Sequence, residues 1–497
     1  MISNKLLKAR AYEDKNIPVV DPERPRFHLT GGIGWINDPN GFSVYKGEYH
    51  MFFQYHPYDT KWGPMYWGHV KTGDFIHWDR LPVAMAPDTE YDADGCFSGG
   101  AVEMPDGRHL LMYTGVKNET DENGKTVSFQ TQCVAFGDGI HYEKFARNPV
   151  ISANQIPDGG SVYDFRDPHV WREGDKYLCV VGNRTADNSG TVLMYESEDA
   201  IHWNYVNKVA SCHNRYGTMW ECPDFFRLDG KDVLLISPTD MKASGLEFHP
   251  GSGTVCIIGY YDKQSEHLIR ENIQAIDYGL DFYAPQTIET IDGRRVMIGW
   301  MQNWATCAYY PEGQKFMGQM TIARELEIKN GRLYQNPVKE IESCRKNKLE
   351  CRNVTVEGNT VECDTEIRGR FIDMTVSVKP VESVYRSLCI EVAHSSEYGT
   401  RFCFEPDRNL IRIDRTDSGL ASDIVNIREI PVTGGNGEIK LRFIMDRYSI
   451  ELFVNNGEQA ASTIIYTPLD ADEIVFSCEG KAIMSVDKYD LEIQKYL

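Results

Sequence analysis

The sequence has no uninterrupted apolar run approaching the roughly 20 residues that cross a bilayer as a helix. Its opening segment, Met1 to Asp14, carries basic residues but no apolar stretch of signal-peptide length. Thirteen cysteines are scattered without one Cys-x-x-Cys pair. That pattern predicts reduced, mostly buried thiols in a cytoplasmic protein rather than a disulfide framework or a zinc site. Positive charge is scarce: Lys+Arg 52 against Asp+Glu 73 gives a net charge of −21, which repels nucleic acid and anionic membrane surfaces. There is no His-Glu-x-x-His, and Gly31-Gly-Ile-Gly34 lacks the remaining spacing and the Lys-Ser/Thr of a phosphate loop. No metal and no cofactor is expected.

What is present is ordinary globular composition, 41% hydrophobic and 25% charged over 497 residues, too long for one core and so read as two domains. One unit recurs, a turn ending in Gly followed by an apolar strand. Gly47 precedes Tyr49–Tyr55, Gly107 precedes His109–Tyr113, and Gly174 precedes Tyr177–Val181; Gly230 and Gly293 then precede Val233–Ile236 and Val296–Trp300. Asp74-Phe-Ile-His77, Asp138-Gly-Ile-His141 and Asp199-Ala-Ile-His202 repeat at the same period in the first three units. Turns of this type supply the positive φ of tight hairpins. Five units of about sixty residues predict an all-β fold beginning with a five-bladed β-propeller, residues 30–338, after an N-terminal extension, 1–29. The charged stretch after Asn336-Pro337 reads as a short linker helix, 339–350. Beyond it, alternation such as Arg370-Phe-Ile-Asp-Met-Thr-Val-Ser-Val378 predicts a C-terminal β-sandwich, 351–497. An exposed sandwich edge would support a homo-oligomer.

The repeat also serves as an alignment. About nine residues before each turn glycine stand Asn37-Asp38-Pro39, Phe97-Ser98-Gly99, Arg166-Asp167-Pro168, Glu221-Cys222-Pro223 and Tyr283-Ala284-Pro285. In a propeller these strand starts converge on the central channel. Asp38, Asp167 and Glu221 would therefore meet, and like charges brought together cost energy unless something uses them. Taken singly, each has a plainer reading: a turn aspartate, an ion pair with Arg166, a solvated strand end. All three at one repeat phase argue for function. Two uses are open, a divalent cation on oxygen ligands or glycoside hydrolysis by paired carboxyls. Nearby aromatics, including Trp35, Trp62, Phe97, Trp220, Trp300 and Trp304, favour a sugar. His77, His141 and His202 lie late in each unit and are expected to pack blade against blade.

Trp35-Ile-Asn-Asp-Pro-Asn-Gly41, Cys96-Phe-Ser-Gly99, Phe165-Arg-Asp-Pro168 and Glu221-Cys-Pro-Asp224 together resemble glycoside hydrolase family 32, which comprises invertases, fructanases and sucrose-6-phosphate hydrolases. Phe53-Gln-Tyr55, Lys61-Trp-Gly63, Asp281–Gln286 and Ile298-Gly-Trp300 fit in order, and Met445–Asn455 resembles part of the family's C-terminal sandwich. The resemblance runs from about residue 25 onward. It implies that Asp38 is the nucleophile, Glu221 the acid and base, and Asp167 beside Arg166 the holder of the fructosyl hydroxyls. Asn37, Gln54, Trp62, Phe97, Ser98 and Trp300 match substrate-pocket positions; Tyr283 is added from the repeat alignment. Asp38 must be ionised, so Asn37 and other donors are expected to keep its pKa low, whereas Glu221 must carry a proton. A retaining enzyme would hold these two carboxyls about 5–5.5 Å apart. The expected partner is a small sugar, and the expected activity is cleavage of terminal β-fructosyl linkages in sucrose, sucrose 6-phosphate or short fructo-oligosaccharides. A fructosyltransferase and a non-catalytic sugar-binding propeller are the alternatives.

Overall fold

A computed structural model describes residues 2–18, 21–120, 123–265, 267–363, 366–420 and 423–493. Its first two-thirds form five antiparallel sheets arranged as blades, with inner strands Gly34–Tyr45, Gly95–Glu103, Gly160–Glu173, Trp220–Leu228 and Tyr283–Glu289. Each inner strand adjoins the next, and the fifth adjoins the first, so the ring closes. Gly47, Gly107, Gly174, Gly230 and Gly293 all have positive φ and link first to second strands, as the repeat predicts. A Cβ at any of these five would meet nothing within 4 Å, so backbone conformation, not space, selects glycine there.

The ring is sealed by a crossing. After Trp300 the chain leaves blade 5, pairs Phe316–Met317 in parallel with Gly34–Trp35 of blade 1, and returns to blade 5 at Arg324–Lys329. Ahead of the ring, a helix, Asn4–Asn16, begins at Ser3, whose Oγ accepts from Leu6 N at 3.1 Å, and packs on the outer strand of blade 1. No helix among the described residues is long and apolar enough to cross a membrane.

The C-terminal strands form one hydrogen-bonded network folded into a sandwich. Its axis is a strand of 19 residues, Glu473–Leu491. The first part of that strand pairs with Ser387–His394, and the second part with Ile372–Pro380 and Arg345–Gly358. The predicted linker helix is not there. Lys339–Cys344 makes a short 3₁₀ turn, and Arg345 already begins a strand. The charges that suggested a solvated helix face instead line the exposed side of that strand, where Arg352 pairs with Glu350 and Asp487.

Two further expectations are corrected. Four cysteines form disulfides, Cys351–Cys363 and Cys389–Cys403; the other nine are free and buried. Cys389 and Cys403 are direct partners on adjacent antiparallel strands, a juxtaposition that sequence spacing does not disclose. His141 and His202 are exposed and do not pack between blades, and His77 is half-buried. Asp74, Asp138 and Asp199 each accept the backbone N–H of the histidine three residues on, and the rings of His77 and His202 lie on the same aspartates. The repeat therefore marks an Asx turn, a local use of aspartate in chain reversal.

The propeller and the sandwich meet over a buried polar seam. Tyr278, Leu280 and Asp281 donate their N–H groups to Ala460 O and Ser462 O at 2.8–3.1 Å. Gly279 lies so close that a Cβ would stand 2.2 Å from Ser462 O, which excludes any side chain there. Arg324 and His28 share Glu451, and Asp446 accepts the N–H groups of Arg26, Phe27 and His28. These contacts give the Met445–Glu451 segment a physical role in joining the two units.

Candidate active site

All five inner strands are irregular at the same level. In blade 1, Asn37 and Asp38 lie between the paired residues Ile36 and Pro39, where the neighbouring strand has only Gln54. Ser98 is the extra residue in blade 2. Asp167-Pro168, Cys222-Pro223 and Ala284-Pro285 are the corresponding steps in blades 3, 4 and 5. Asp167, Cys222 and Ala284 take φ of 65°, 47° and 50°, a region costing a non-glycine residue about 1 kcal/mol. Each is followed by a proline, whose missing N–H is no loss on an inner edge strand. Bulges re-aim side chains. Here they turn the flanking residues of every blade towards the channel, which is why the residues counted back from the turn glycines converge.

Asp38 and Asp167 are buried, with Cys222 between them. Asn37 Nδ2 donates to Asp38 Oδ1 at 3.0 Å, and Ser98 Oγ donates to Asp38 Oδ2 at 2.7 Å. Trp35 Nε1 donates to Asn37 Oδ1 at 2.8 Å and so fixes the amide. Asp167 Oδ2 accepts from Cys222 N at 3.0 Å, while its own N–H donates to Thr114 Oγ1 at 2.9 Å. The Cys222 thiol reaches both carboxylates, 3.5 Å from Asp38 Oδ2 and 3.7 Å from Asp167 Oδ2. Glu221 stands across from them. Arg166 Nε and its terminal nitrogen lie 2.9 and 2.8 Å from Glu221 Oε1, and the Tyr283 hydroxyl lies 2.6 Å from Oε2.

Burial pushes the Asp38 carboxyl above the usual carboxylate range, against the lowering effect of Ser98 and Asn37. The expectation that its donors would hold it low is overturned, because removal from water outweighs two hydrogen bonds and the Glu221 charge adds to the rise. Asp167 is raised for the same first reason, with Arg166 opposing and the charges of Glu221 and Asp38 adding. The Cys222 thiol is pushed far up by burial and by the surrounding carboxylates, so it is a protonated donor and not a thiolate nucleophile.

The remaining expected residues are placed as follows. Gln54 is buried and donates to Cys96 O at 3.0 Å. Phe97 stands edge-on to Trp62, ring centroids 6.0 Å apart, and Trp62 is half exposed. Trp300 is fully buried behind Trp35 and Trp304, so it supports the pocket wall and does not face it. Arg166 turns to Glu221 and not to its sequence neighbour Asp167. Tyr283 contacts Glu221, and the same hydroxyl lies 2.9 Å from Ser237 O. Sequence reasoning missed Thr114, Gln130 and Asp164. Gln130 and Asp164 flank the Arg166 guanidinium at 3.2 and 3.3 Å, and neither occupies the repeat phase that flagged the others. Among the described residues, no cluster of His, Cys, Asp and Glu is arranged to hold a metal ion.

The model for the glycosyl hydrolases family 32 N-terminal domain matches residues 28–337, and that for the family 32 C terminal matches residues 340–493. The chain is 35% identical to the raffinose invertase of Escherichia coli, covering 93% of each. It is 33% identical to a sucrose-6-phosphate hydrolase of Zymomonas mobilis over 92% of this chain and 90% of that one. Among solved structures it is similar to a mutant Bombyx mori β-fructofuranosidase in complex with sucrose. That likeness has a TM-score of 0.83 and 30% identity and covers 99% of both chains.

Proposed function

This chain belongs to glycosyl hydrolase family 32 and is a glycoside hydrolase of the β-fructofuranosidase type, and on that premise we propose that it cleaves terminal β-fructosyl linkages of sucrose, sucrose 6-phosphate or short fructo-oligosaccharides with retention. The observation that carries this reading is the meeting of Asp38, Asp167 and Glu221 from three different blades, each with its own set of donors. Asp38 attacks the anomeric carbon of the fructosyl unit. The bulge aims it, and Ser98 and Asn37 hold both of its oxygens in one orientation. Because burial disfavours its charge, the bound sugar replaces water around it, and the attacking carboxylate is poorly solvated and reactive. Asp167 holds fructosyl hydroxyls.

Glu221 gives its proton to the leaving oxygen and then takes one from water. Its surroundings suit both states. Tyr283 O–H donates to the carboxylate; when Glu221 is protonated, Tyr283 can turn its hydrogen to Ser237 O and accept from the acid. Arg166 balances the charge each time the proton leaves. Glu221→Gln should slow fructose release by about 10²–10⁴-fold. The check is parallel assay of wild type and variant on sucrose, 1-kestose and sucrose 6-phosphate. The ranking of the three names the preferred leaving group, and a variant as fast as wild type removes Glu221 from the mechanism.

The thiol geometry carries a smaller expectation. Cys222 faces Asp38 and Asp167, so Cys222→Ala should lower kcat about five- to tenfold, the worth of one or two weak hydrogen bonds. The loss should appear by the same factor across the whole pH–rate profile. A loss confined to one end of the profile would mean that the thiol acts by shifting a titration and not through its hydrogen bonds.

A further inference from the structure

Two stretches far apart in sequence meet beside Trp62. Residues 57–65 connect the second and third strands of blade 1 and carry Trp62; residues 301–315 are the crossing that seals the ring. Trp62 is 50% exposed and touches its neighbour Phe97 only by an edge, so burial does not hold its ring in place. The crossing is internally tied by local turns, such as Thr306 and Cys307 N–H to Asn303 O. It is pinned at its ends where Met301 N donates to Gln319 O and Gly34 N donates to Lys315 O. In between, the Tyr310 ring packs on the apolar layer beneath the acids, which includes Trp35, Trp300 and Met317. Its hydroxyl shares a 2.8 Å hydrogen bond with Thr60 Oγ1, two residues before Trp62. Among the described residues the two stretches share this hydrogen bond and no other. On the far side of the same stretch, Tyr58 rests edge-on against Tyr12 of the N-terminal helix, at 4.9 Å between centroids.

We propose that Thr60 and Tyr310 form a clasp that positions Trp62, acting through that ring and not on the reacting atoms. The proposal rests on the β-fructosidase reading above. The physical reason is preorganisation. A half-exposed indole on a connecting stretch must be ordered when sugar binds, and a stretch already tied to the rigid layer under the acids has less freedom to lose. The anchor is firm, since Tyr310 is fixed by the same apolar layer that supports Asp38 through Trp35 and Asn37. The clasp should therefore affect ground-state binding more than chemistry.

Tyr310→Phe and Thr60→Val each remove the hydrogen bond with little change of shape. Each should raise KM for sucrose about fivefold, the worth of one neutral hydrogen bond, with kcat within about twofold of wild type and the thermal midpoint unchanged. The double variant should show the same KM as either single one, because both delete one interaction. Thr60→Ser keeps the hydroxyl and should stay close to wild type. The clasp is overturned if either single variant keeps a wild-type KM, if the two effects multiply in the double variant, or if kcat falls while KM stands. An active wild type with unchanged variants removes the clasp alone. A wild type releasing no fructose from any of the three substrates removes the hydrolase reading and the clasp with it.

Discussion

Asp38→Asn should yield a folded protein that still binds sucrose but turns it over about 10⁴-fold more slowly, or worse, as expected for loss of a nucleophile. It should also be no less stable than wild type. The amide is nearly isosteric with the carboxylate and can be satisfied in place: its oxygen accepts from Asn37 Nδ2, and its nitrogen donates to Ser98 Oγ after that hydroxyl rotates. What the substitution removes is a buried charge that burial disfavours and that Glu221 and Asp167 repel. Function is therefore bought here with stability, a trade common at active sites. Two measurements check it, single-turnover fructose release and a thermal melt without ligand. Activity within tenfold of wild type would rule Asp38 out as nucleophile. A melt several degrees below wild type would mean that the carboxylate holds the bulge in place, and the kinetic loss would then say nothing about attack.

Much of this site is legible in the amino-acid sequence. The turn glycines carry their own conformational reason, positive φ, and so the period of the blades can be read directly from the chain. Once the period is known, Asp38, Asp167 and Glu221 fall within about two residues of one phase, and the register then places Asp38 and Asp167 in the bulge and Glu221 one residue before it. The bulge that makes this work is not legible, because it is a mismatch between two strands and a sequence presents only one at a time. Gln54 opposite Asn37-Asp38 and Gly299 opposite Ala284-Pro285 become informative only in register. For the same reason adjacency in sequence suggests that Arg166 stands beside Asp167. The left-handed turn at Asp167 accompanies a guanidinium that gives its hydrogen bonds to Glu221, although its charge still acts on Asp167. Long-range partners leave no local mark: Cys389 and Cys403 form a disulfide across adjacent strands, and Trp300 is a buried support although its segment matches a pocket motif. Charge composition misleads at 339–350, where exposed strand and solvated helix call for the same residues.

The other large effect is expected outside the catalytic cluster, at Glu451. Its two oxygens accept from four nitrogens. Oε1 takes His28 Nε2 at 2.9 Å and Ile322 N at 2.8 Å, and Oε2 takes Arg324 Nε and its terminal nitrogen at 3.0 and 2.6 Å. Glutamine cannot replace it. Turned one way, its NH₂ meets both Arg324 donors; turned the other, it meets the Ile322 N–H and the protonated His28 ring, and either way the Arg324 charge loses one of its two carboxylate partners in a site with no exposure. Breaking a buried pair in this way costs about 3–5 kcal/mol, so Glu451→Gln should lower the urea midpoint markedly at pH 6. The defect should also depend on pH. Burial alone would lower the pKa of His28, but Asp446 and Glu451 outweigh burial and push it up to about 9. A folded value above the unfolded one means that this contribution is whole below about pH 6.5 and is lost as pH rises through 9. The gap between wild type and Glu451→Gln should therefore be widest near pH 6 and narrow towards pH 9.5, leaving the Arg324 share. His50, which burial pushes down to about 4, titrates in the opposite sense, but it is common to both proteins and cancels in the difference. A gap below 1 kcal/mol at pH 6 would show that the seam tolerates the loss. A gap constant with pH would show that His28 is neutral in the native protein, so that Arg324 is the one charge that binds Glu451 of the sandwich strand, beside the Ile322 N–H.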